Sequence, residues 1–399
     1  MLSDVYFPRI NGVSTSIRTL ARDLAARGHE VTLVAPSYDA GEVDDDAAEP
    51  FRIVRVPGRT IFFDPEDRLM RRGALRRVER ALRDERYDLV HVHTPFLAHT
   101  TGVRLARALR CPTVETYHTY FEAYVAHYLP WLPGAWLRYG ARRLSRALCG
   151  VVDHLVVPSA EIAGLLERYG ITTPATVIPS GLALDEFTGG DGAAFRAKHG
   201  IDPARPTLVT VGRLAREKNI DFLLDVTVVL RDRFPDLLFI VAGEGPDGPR
   251  LRERTRALGL DANVRFFGNL DRRTTLLDCY RAGDVFVFAS PTETQGLVLI
   301  EAAALGVPVV STAVMGTATV LAGARGARIA PQDVAAFARE VATLLESPSL
   351  RAELGAHGPV DARAWSTERL VGRIAELYER LVAERRGASG VVAALDIPT

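Results

Sequence analysis

Residues 284–312, DVFVFASPTETQGLVLIEAAALGVPVVST, narrow the choice of fold more than any other stretch of the chain. An apolar, β-branched and aromatic run (285–289) reads as a buried parallel strand, Ser290-Pro291 turns the chain, a helical pattern begins at about Gly296, and a second apolar strand covers 307–311. Strand, loop, helix, strand is a βαβ unit. Such units build open parallel sheets that bind ligands beyond the carboxyl ends of their strands. The helix start offers the unpaired N–H groups of Gly296, Leu297 and Val298, a seat for a diphosphate. Glu293 lies just before these amides and Glu301 more than a turn beyond them. Carboxylates do not bind phosphate; they accept hydrogen bonds from hydroxyls, so the implied ligand carries both phosphates and sugar hydroxyls, as a nucleotide sugar does. The plainer alternative is two solvated acids near a helix start, where the dipole favours them.

The segment Glu293-Thr-Gln-Gly-Leu-Val-Leu-Ile-Glu301 resembles the Glu-x7-Glu motif of retaining GT-B glycosyltransferases. The resemblance runs from about Ser3 to Arg386 and is closest to family 4 enzymes of bacteria that glycosylate diacylglycerol or related lipids. Gly212-Arg-Leu-Ala-Arg-Glu-Lys218, after an apolar strand at 208–211, matches the family's Gly-Arg-Leu-x-x-Glu-Lys segment, which implies that Arg213 and Lys218 hold the diphosphate. Two cations at a sheet mouth can neutralise that leaving group without a metal, Arg as a fork and Lys as a point charge. Tyr117-His118-Thr119-x-Phe121-Glu122, after a strand at 112–116, resembles the family's His-Thr-x-Tyr-Glu and implies that His118 sits against the donor sugar; a lone histidine there is otherwise a structural group. Phe121 in place of Tyr removes a hydroxyl on the acceptor side. Asn11-Gly12 marks a turn before a helix that Ser14 or Thr15 caps and that runs to about Arg27; in the family this Gly12 loop faces the diphosphate. TVIPSGLALDEF resembles the crossover between domains, with Ser180 for the usual Asn, and Gly243, Gly245 and Pro246 resemble a Gly-x-Gly-Pro turn.

The resemblance implies an α/β, GT-B architecture: two Rossmann-like doubly wound domains facing each other across a cleft. Residues 1–180 form the acceptor-side domain, 181–365 the nucleotide-sugar domain, 366–386 a helix crossing back to the first domain, and 387–399 a flexible tail. A chain of 399 residues suits two or three domains. The opening Met-Leu-Ser-Asp-Val-Tyr is short for the strand expected before the first helix, which suggests a misassigned start or a truncation and a first strand partly missing.

With 49 basic and 49 acidic residues in balance, the chain does not read as a nucleic-acid coat. Three widely spaced cysteines form no CxxC and read as reduced and buried, without a metal set. Asp44-Asp45-Asp46 lies in an acidic loop read as solvated surface, and the resembling family uses no DxD metal site. The expected cofactor list is therefore empty, with no metal required. No apolar run approaches the roughly 18 residues of a membrane span and no signal peptide opens the chain. Residues 66–86 read as an Arg-dense helix or helices. Residues 129–148 combine Trp131, Trp136 and Tyr139 with Arg138, Arg142, Arg143 and Arg146 and no acid, the pattern of a segment at an anionic membrane surface or else of an ordinary docked helix. His91 and His93, near the end of a buried strand, read as polar groups satisfied in the core.

The functional expectation is a metal-independent retaining hexosyltransferase, cytoplasmic and peripheral on the inner face of the cytoplasmic membrane. It moves a hexose from a nucleotide sugar, UDP-glucose first, to a lipid such as diacylglycerol. His118, Glu293, Arg213 and Lys218 form the catalytic set; Gly12, Arg213, Lys218, Glu293, Gly296, Leu297, Val298 and Glu301 bind substrate. The alternatives are a GDP-mannose-dependent mannosyltransferase on a phosphatidylinositol-type or soluble glycan acceptor, and a UDP-sugar epimerase of GT-B shape. A non-catalytic nucleotide-sugar or membrane-docking module leaves the Arg, Lys and Glu positions unexplained. A dinucleotide oxidoreductase lacks its GxGxxG after a first strand.

Overall fold

A computed structural model describes residues 1–9, 11–38, 46–61, 64–118 and 134–395. The chain forms two compact units, Met1–Gly181 with Thr367–Thr399, and Leu182–Ser366.

The first unit is built on the parallel strands β1 (Thr32–Pro36), β2 (Arg52–Val56), β5 (Val90–Val92), β6 (Thr113–Thr116), β7 (His154–Val157) and β8 (Ala175–Val177), with β3 (Gly58–Ile61) and β4 (Asp64–Met70) as a separate antiparallel hairpin. Leu2 bridges Val34 on one side and Val92 on the other, both in parallel. The opening residues, short as they are, thus take the central place in the order β2-β1-Leu2-β5-β6-β7-β8. In sequence terms this is 3-2-1-4 and onward, the doubly wound order whose switch point lies between Leu2 and β5.

The first helix, Gly12–Ala26, starts one residue after Asn11, whose side-chain oxygen accepts from the Ser14 N–H at 2.8 Å. Asn11, not Ser14 or Thr15, is the cap. Its backbone is extended, as an N-cap requires, whereas Ser14 is already buried inside the helix. Ile17, Leu20, Ala21 and Leu24 recur at three- and four-residue steps and face the core.

The Arg-dense stretch also departs from expectation. Its first part is strand β4, paired from Gly58↔Met70 inward, and only Arg72–Arg83 is helical, burying Ala74, Leu75 and Leu82. Backbone pairing in the hairpin takes residues 66–70 out of the helix that their composition allows. The terminal helix is longer than expected, Thr367–Leu395, so residues 387–395 continue it instead of forming a tail. Gly387 and Gly390 each cost about 1 kcal/mol relative to alanine, too little to stop a helix already propagating into Val-Val-Ala-Ala-Leu. Leu370, Val371, Ile374 and Leu377 pack with Leu20, Leu24, Val114 and Val156, whereas Trp365, just before the helix, packs in the second unit.

In the second unit β9 (Thr207–Val211), β10 (Leu238–Ala242), β11 (Val264–Gly268), β12 (Val285–Phe288), β13 (Val309–Ser311) and β14 (Ala327–Ile329) form one parallel sheet in the order β11-β10-β9-β12-β13-β14. Phe239 and Val241 pack on one face, and Leu238, Ile240 and Ala242 on the other. A strand apolar at every position is thereby explained: both its faces are covered. The switch point falls between β9 and β12, and the motif loops follow these two strands.

Candidate active site

After β9, Gly212 leads into Arg213, and a short 3-10 turn, Arg216–Lys218, presents Lys218. The Leu214 N–H donates to the Glu244 carbonyl at 2.9 Å, fastening this loop to the one after β10. Gly243 is required there, since its φ is +126° and a Cβ would lie 2.0 Å from the Gly212 carbonyl oxygen. The Lys218 Nζ donates to Glu293 Oε2 at 2.5 Å, with the two side chains 26% and 16% exposed. Two of the expected site residues thus meet across the switch point. Arg213 stands on the same loop, half-buried.

The loop after β12 is tied down on both sides. The Ser290 hydroxyl donates to the Glu217 carbonyl at 2.7 Å, and the Asn219 amide donates to the Ala289 carbonyl at 3.1 Å. On its far side the Gly316 N–H donates to the Glu293 carbonyl at 2.8 Å, and a Cβ on Gly316 would stand 1.9 Å from the Thr294 carbonyl oxygen. Gly316→Val therefore has to push the Glu293 loop away. We expect stability lower by about 1–3 kcal/mol, as for other overpacked sites, and a raised donor KM; unchanged kinetics would show that this loop does not position Glu293.

Gly296 caps the next helix, Leu297–Ala304, in the left-handed conformation at φ +90°. It precedes the helix, so Leu297 and Val298 carry the leading amides. Glu301 is 2% exposed. Its Oε1 accepts from Arg272 Nη2 at 2.5 Å and its Oε2 from the Tyr280 hydroxyl at 2.6 Å. Burial works against the Arg272 charge, but Glu301 beside it more than compensates and raises its pKa. Burial, with Glu301 adjacent, pushes the Tyr280 phenol well above its ordinary value. Glu301, expected to bind substrate, is thus also the hub of a polar cluster. Arg272 and Tyr280 escaped the sequence reading: Tyr280 sits at an apolar helix position, and Arg272 is one of two arginines in a turn without a motif.

Gly12 and His118 belong to the first unit. Gly12 is exposed and a Cβ there would touch nothing within 4 Å, so packing does not demand a glycine. His118 is half-buried at the end of β6, and its Nε2 lies 3.3 Å from His93 Nδ1. On the neighbouring strand His91 meets Thr116 Oγ1 at 2.7 Å and the Tyr378 hydroxyl of the terminal helix. Asp4, at the switch point, accepts from Thr94 Oγ1 at 2.8 Å and from the N–H groups of Phe96, Leu97 and Ala98, capping the helix Leu97–Leu109 from outside it.

Burial lowers all three imidazoles, His118 to about 4 from 6.5 and His91 and His93 well below 6.5. Below 6.5 the unfolded chain takes up protons that the folded unit refuses, so stability falls with falling pH. Asp4, raised by burial from 3.8 to about 6, is protonated first in the folded state and opposes this within that window. Three groups outweigh one. The urea midpoint should be lower at about pH 5 than at about pH 7.5, and an unchanged midpoint would rule out buried neutral imidazoles.

On the helix Gly134–Cys149, Trp136 and Tyr139 are 76% and 63% exposed, with Arg143 and Leu144 alongside. Arg142 instead lies over the Tyr169 ring at 5.3 Å, and Arg146 donates to the Tyr169 carbonyl, so these two serve packing. Phe121, Glu122 and Trp131, like Asp44 and Asp45, lie outside the described residues, as does the side chain of Arg138. Among the described residues no helix is long and apolar enough to cross a membrane.

Comparison with known proteins gives two matching family models, Glycosyltransferase Family 4 over residues 10–186 and Glycosyl transferases group 1 over residues 191–360. The chain is 32% identical over 317 residues to an alpha-monoglucosyldiacylglycerol synthase of Streptococcus pneumoniae, covering 78% of this chain and 70% of that protein. It is also 32% identical over 320 residues to a D-inositol 3-phosphate glycosyltransferase of Catenulispora acidiphila, covering 75% of this chain and 72% of the relative. Among solved structures, sucrose-phosphate synthase from Thermosynechococcus elongatus superposes with a TM-score of 0.76 at 23% identity over 96% of both chains, a likeness of fold.

Proposed function

As the chain belongs to glycosyltransferase family 4 and has the GT-B fold, we propose that it is a retaining, metal-independent hexosyltransferase whose donor is UDP-glucose and whose acceptor is a lipid such as diacylglycerol at the inner face of the cytoplasmic membrane. The observation that carries the reading is the Lys218–Glu293 pair at 2.5 Å over the β9/β12 switch point, on the same loops as Arg213 and the Leu297 and Val298 amides. Arg213 and Lys218 take the charge of the leaving diphosphate; Glu293, released from Lys218, accepts from a sugar hydroxyl; and His118 is assigned a contact to the donor sugar through its ring N–H. Glu301 serves the ribose. The bond from the anomeric carbon to the diphosphate oxygen breaks as the acceptor oxygen bonds to the same face. The acceptor proton passes to the leaving phosphate.

The exposed Trp136 and Tyr139 beside Arg143 support a membrane-surface partner: aromatic rings seat at the headgroup level and a cation favours anionic lipid. A second reading, a soluble or lipid-linked inositol phosphate as acceptor, draws on the relative named as a D-inositol 3-phosphate glycosyltransferase.

The test is release of nucleoside diphosphate from UDP-glucose, UDP-galactose and GDP-mannose in turn, with chelator present, with and without vesicles of diacylglycerol and anionic lipid, and with inositol phosphate. Release that needs UDP-glucose and the vesicles supports the first reading. Release that follows inositol phosphate and ignores vesicles supports the second. No transfer from any donor rejects both.

A further inference from the structure

Three imidazoles line one edge of the first sheet. His91 has both nitrogens engaged, by the Tyr378 hydroxyl and by Thr116 Oγ1. Its ring centre is 4.0 Å from that of His93, which is 2% exposed. His93 in turn reaches His118, Nδ1 to Nε2, at 3.3 Å with the rings inclined by 28°. The other nitrogen of His93, Nε2, is buried and has no partner among the described residues.

We propose that His93 is a positioning residue that donates its Nδ1–H to His118 Nε2, fixing the tautomer and the ring plane in which His118 meets the donor sugar. The asymmetry of His93 sets the direction. A neutral imidazole has one N–H and one bare lone pair. A proton on Nε2 of His93 would be a buried N–H without an acceptor, a rare and costly fault, whereas a bare lone pair there is the lesser one. The proton therefore sits on Nδ1, pointing at His118. His118 Nε2 must then accept, and its own proton is confined to Nδ1. Which nitrogen of a histidine donates is set by the bond the other makes. Desolvation keeps both rings neutral, consistent with this arrangement. His91, satisfied on both sides, backs His93 and limits its tilt.

The consequence for turnover rests on the reading of His118 as the sugar contact, so the experiment separates the two. Ring-nitrogen chemical shifts of the labelled full chain should show His93 and His118 both protonated at Nδ1. His93→Phe keeps the ring volume and removes the donor; kcat should fall about 10- to 100-fold, the scale for loss of an orienting partner, with donor KM nearly constant. His93→Asn, whose amide N–H falls near the lost Nδ1–H, should recover most of that loss, which a purely structural role would not produce. The proposal is overturned if His118 carries its proton on Nε2 in the unaltered protein. In that case His93 accepts, with its own Nε2–H turned toward the cavity of about 20 Å³ that it lines with Ser16, Thr116 and Ser180. Unchanged kcat in His93→Phe overturns it equally. A His118→Ala variant with full turnover would reject the sugar contact and with it the effect on kcat, while the shifts still decide the hydrogen bond.

Discussion

Replacing Lys218 by alanine should lower kcat by about two to three powers of ten while leaving the thermal midpoint almost where it was. The two halves of this expectation have different sources. The Lys218–Glu293 pair is 26% and 16% exposed, so water screens it and its loss costs at most about 1 kcal/mol of stability. In the proposed reaction the ammonium would meet a charge that grows as the diphosphate leaves. A preorganised group of that kind is worth about 10²–10³ in rate. Glu293 strengthens the contrast: freed of its partner, it faces the departing phosphates as an uncompensated anion. Steady-state kinetics and a thermal melt on the same preparation decide it, and near-normal turnover removes Lys218 from the chemistry.

Glu301→Ala should do the reverse, costing stability first. It removes a buried carboxylate and leaves the Tyr280 hydroxyl and the Arg272 guanidinium without their shared acceptor. Breaking a buried ion pair from one side typically costs about 3–5 kcal/mol, and Arg272, partly exposed, places the loss near the lower end. A denaturant midpoint measures it. The double variant Glu301→Gln, Arg272→Gln removes both charges together and should regain much of that stability. If Glu301 also serves the ribose, donor KM stays raised in the repaired protein; a KM restored along with stability would make Glu301 structural alone.

What the sequence made legible, and what it did not, divides along the range of the interactions. The strands of the second unit were readable because each is a short apolar run buried on both faces, a local property of the residues. The loops after β9 and β12 were readable because their motifs are contiguous, and the meeting of Lys218 with Glu293 follows once the two strands are neighbours. Arg272 and Tyr280 were hidden because what they do depends on Glu301, across 29 and 21 residues of chain. Asp4 is the extreme: it caps a helix more than 90 residues away, and nothing near it in sequence announces the partner. His93 read as a satisfied core histidine, like His91, although one of its nitrogens is unmatched. The cap of the first helix and the start of the Arg-rich helix were misread more simply, through one-residue and hairpin effects at element boundaries.

The first unit is finished by the last part of the chain, since the helix Thr367–Leu395 packs with Leu20, Leu24 and Val114. On the ribosome this inverts the order of assembly. Residues 182–366 are contiguous and can complete their own core as they emerge, while the earlier-made first unit waits, part of its apolar surface uncovered, until residues 367–395 have been made. At about 5–20 residues per second that wait spans tens of seconds. The nascent protein therefore carries its greatest exposure to misassembly in the half that was translated first.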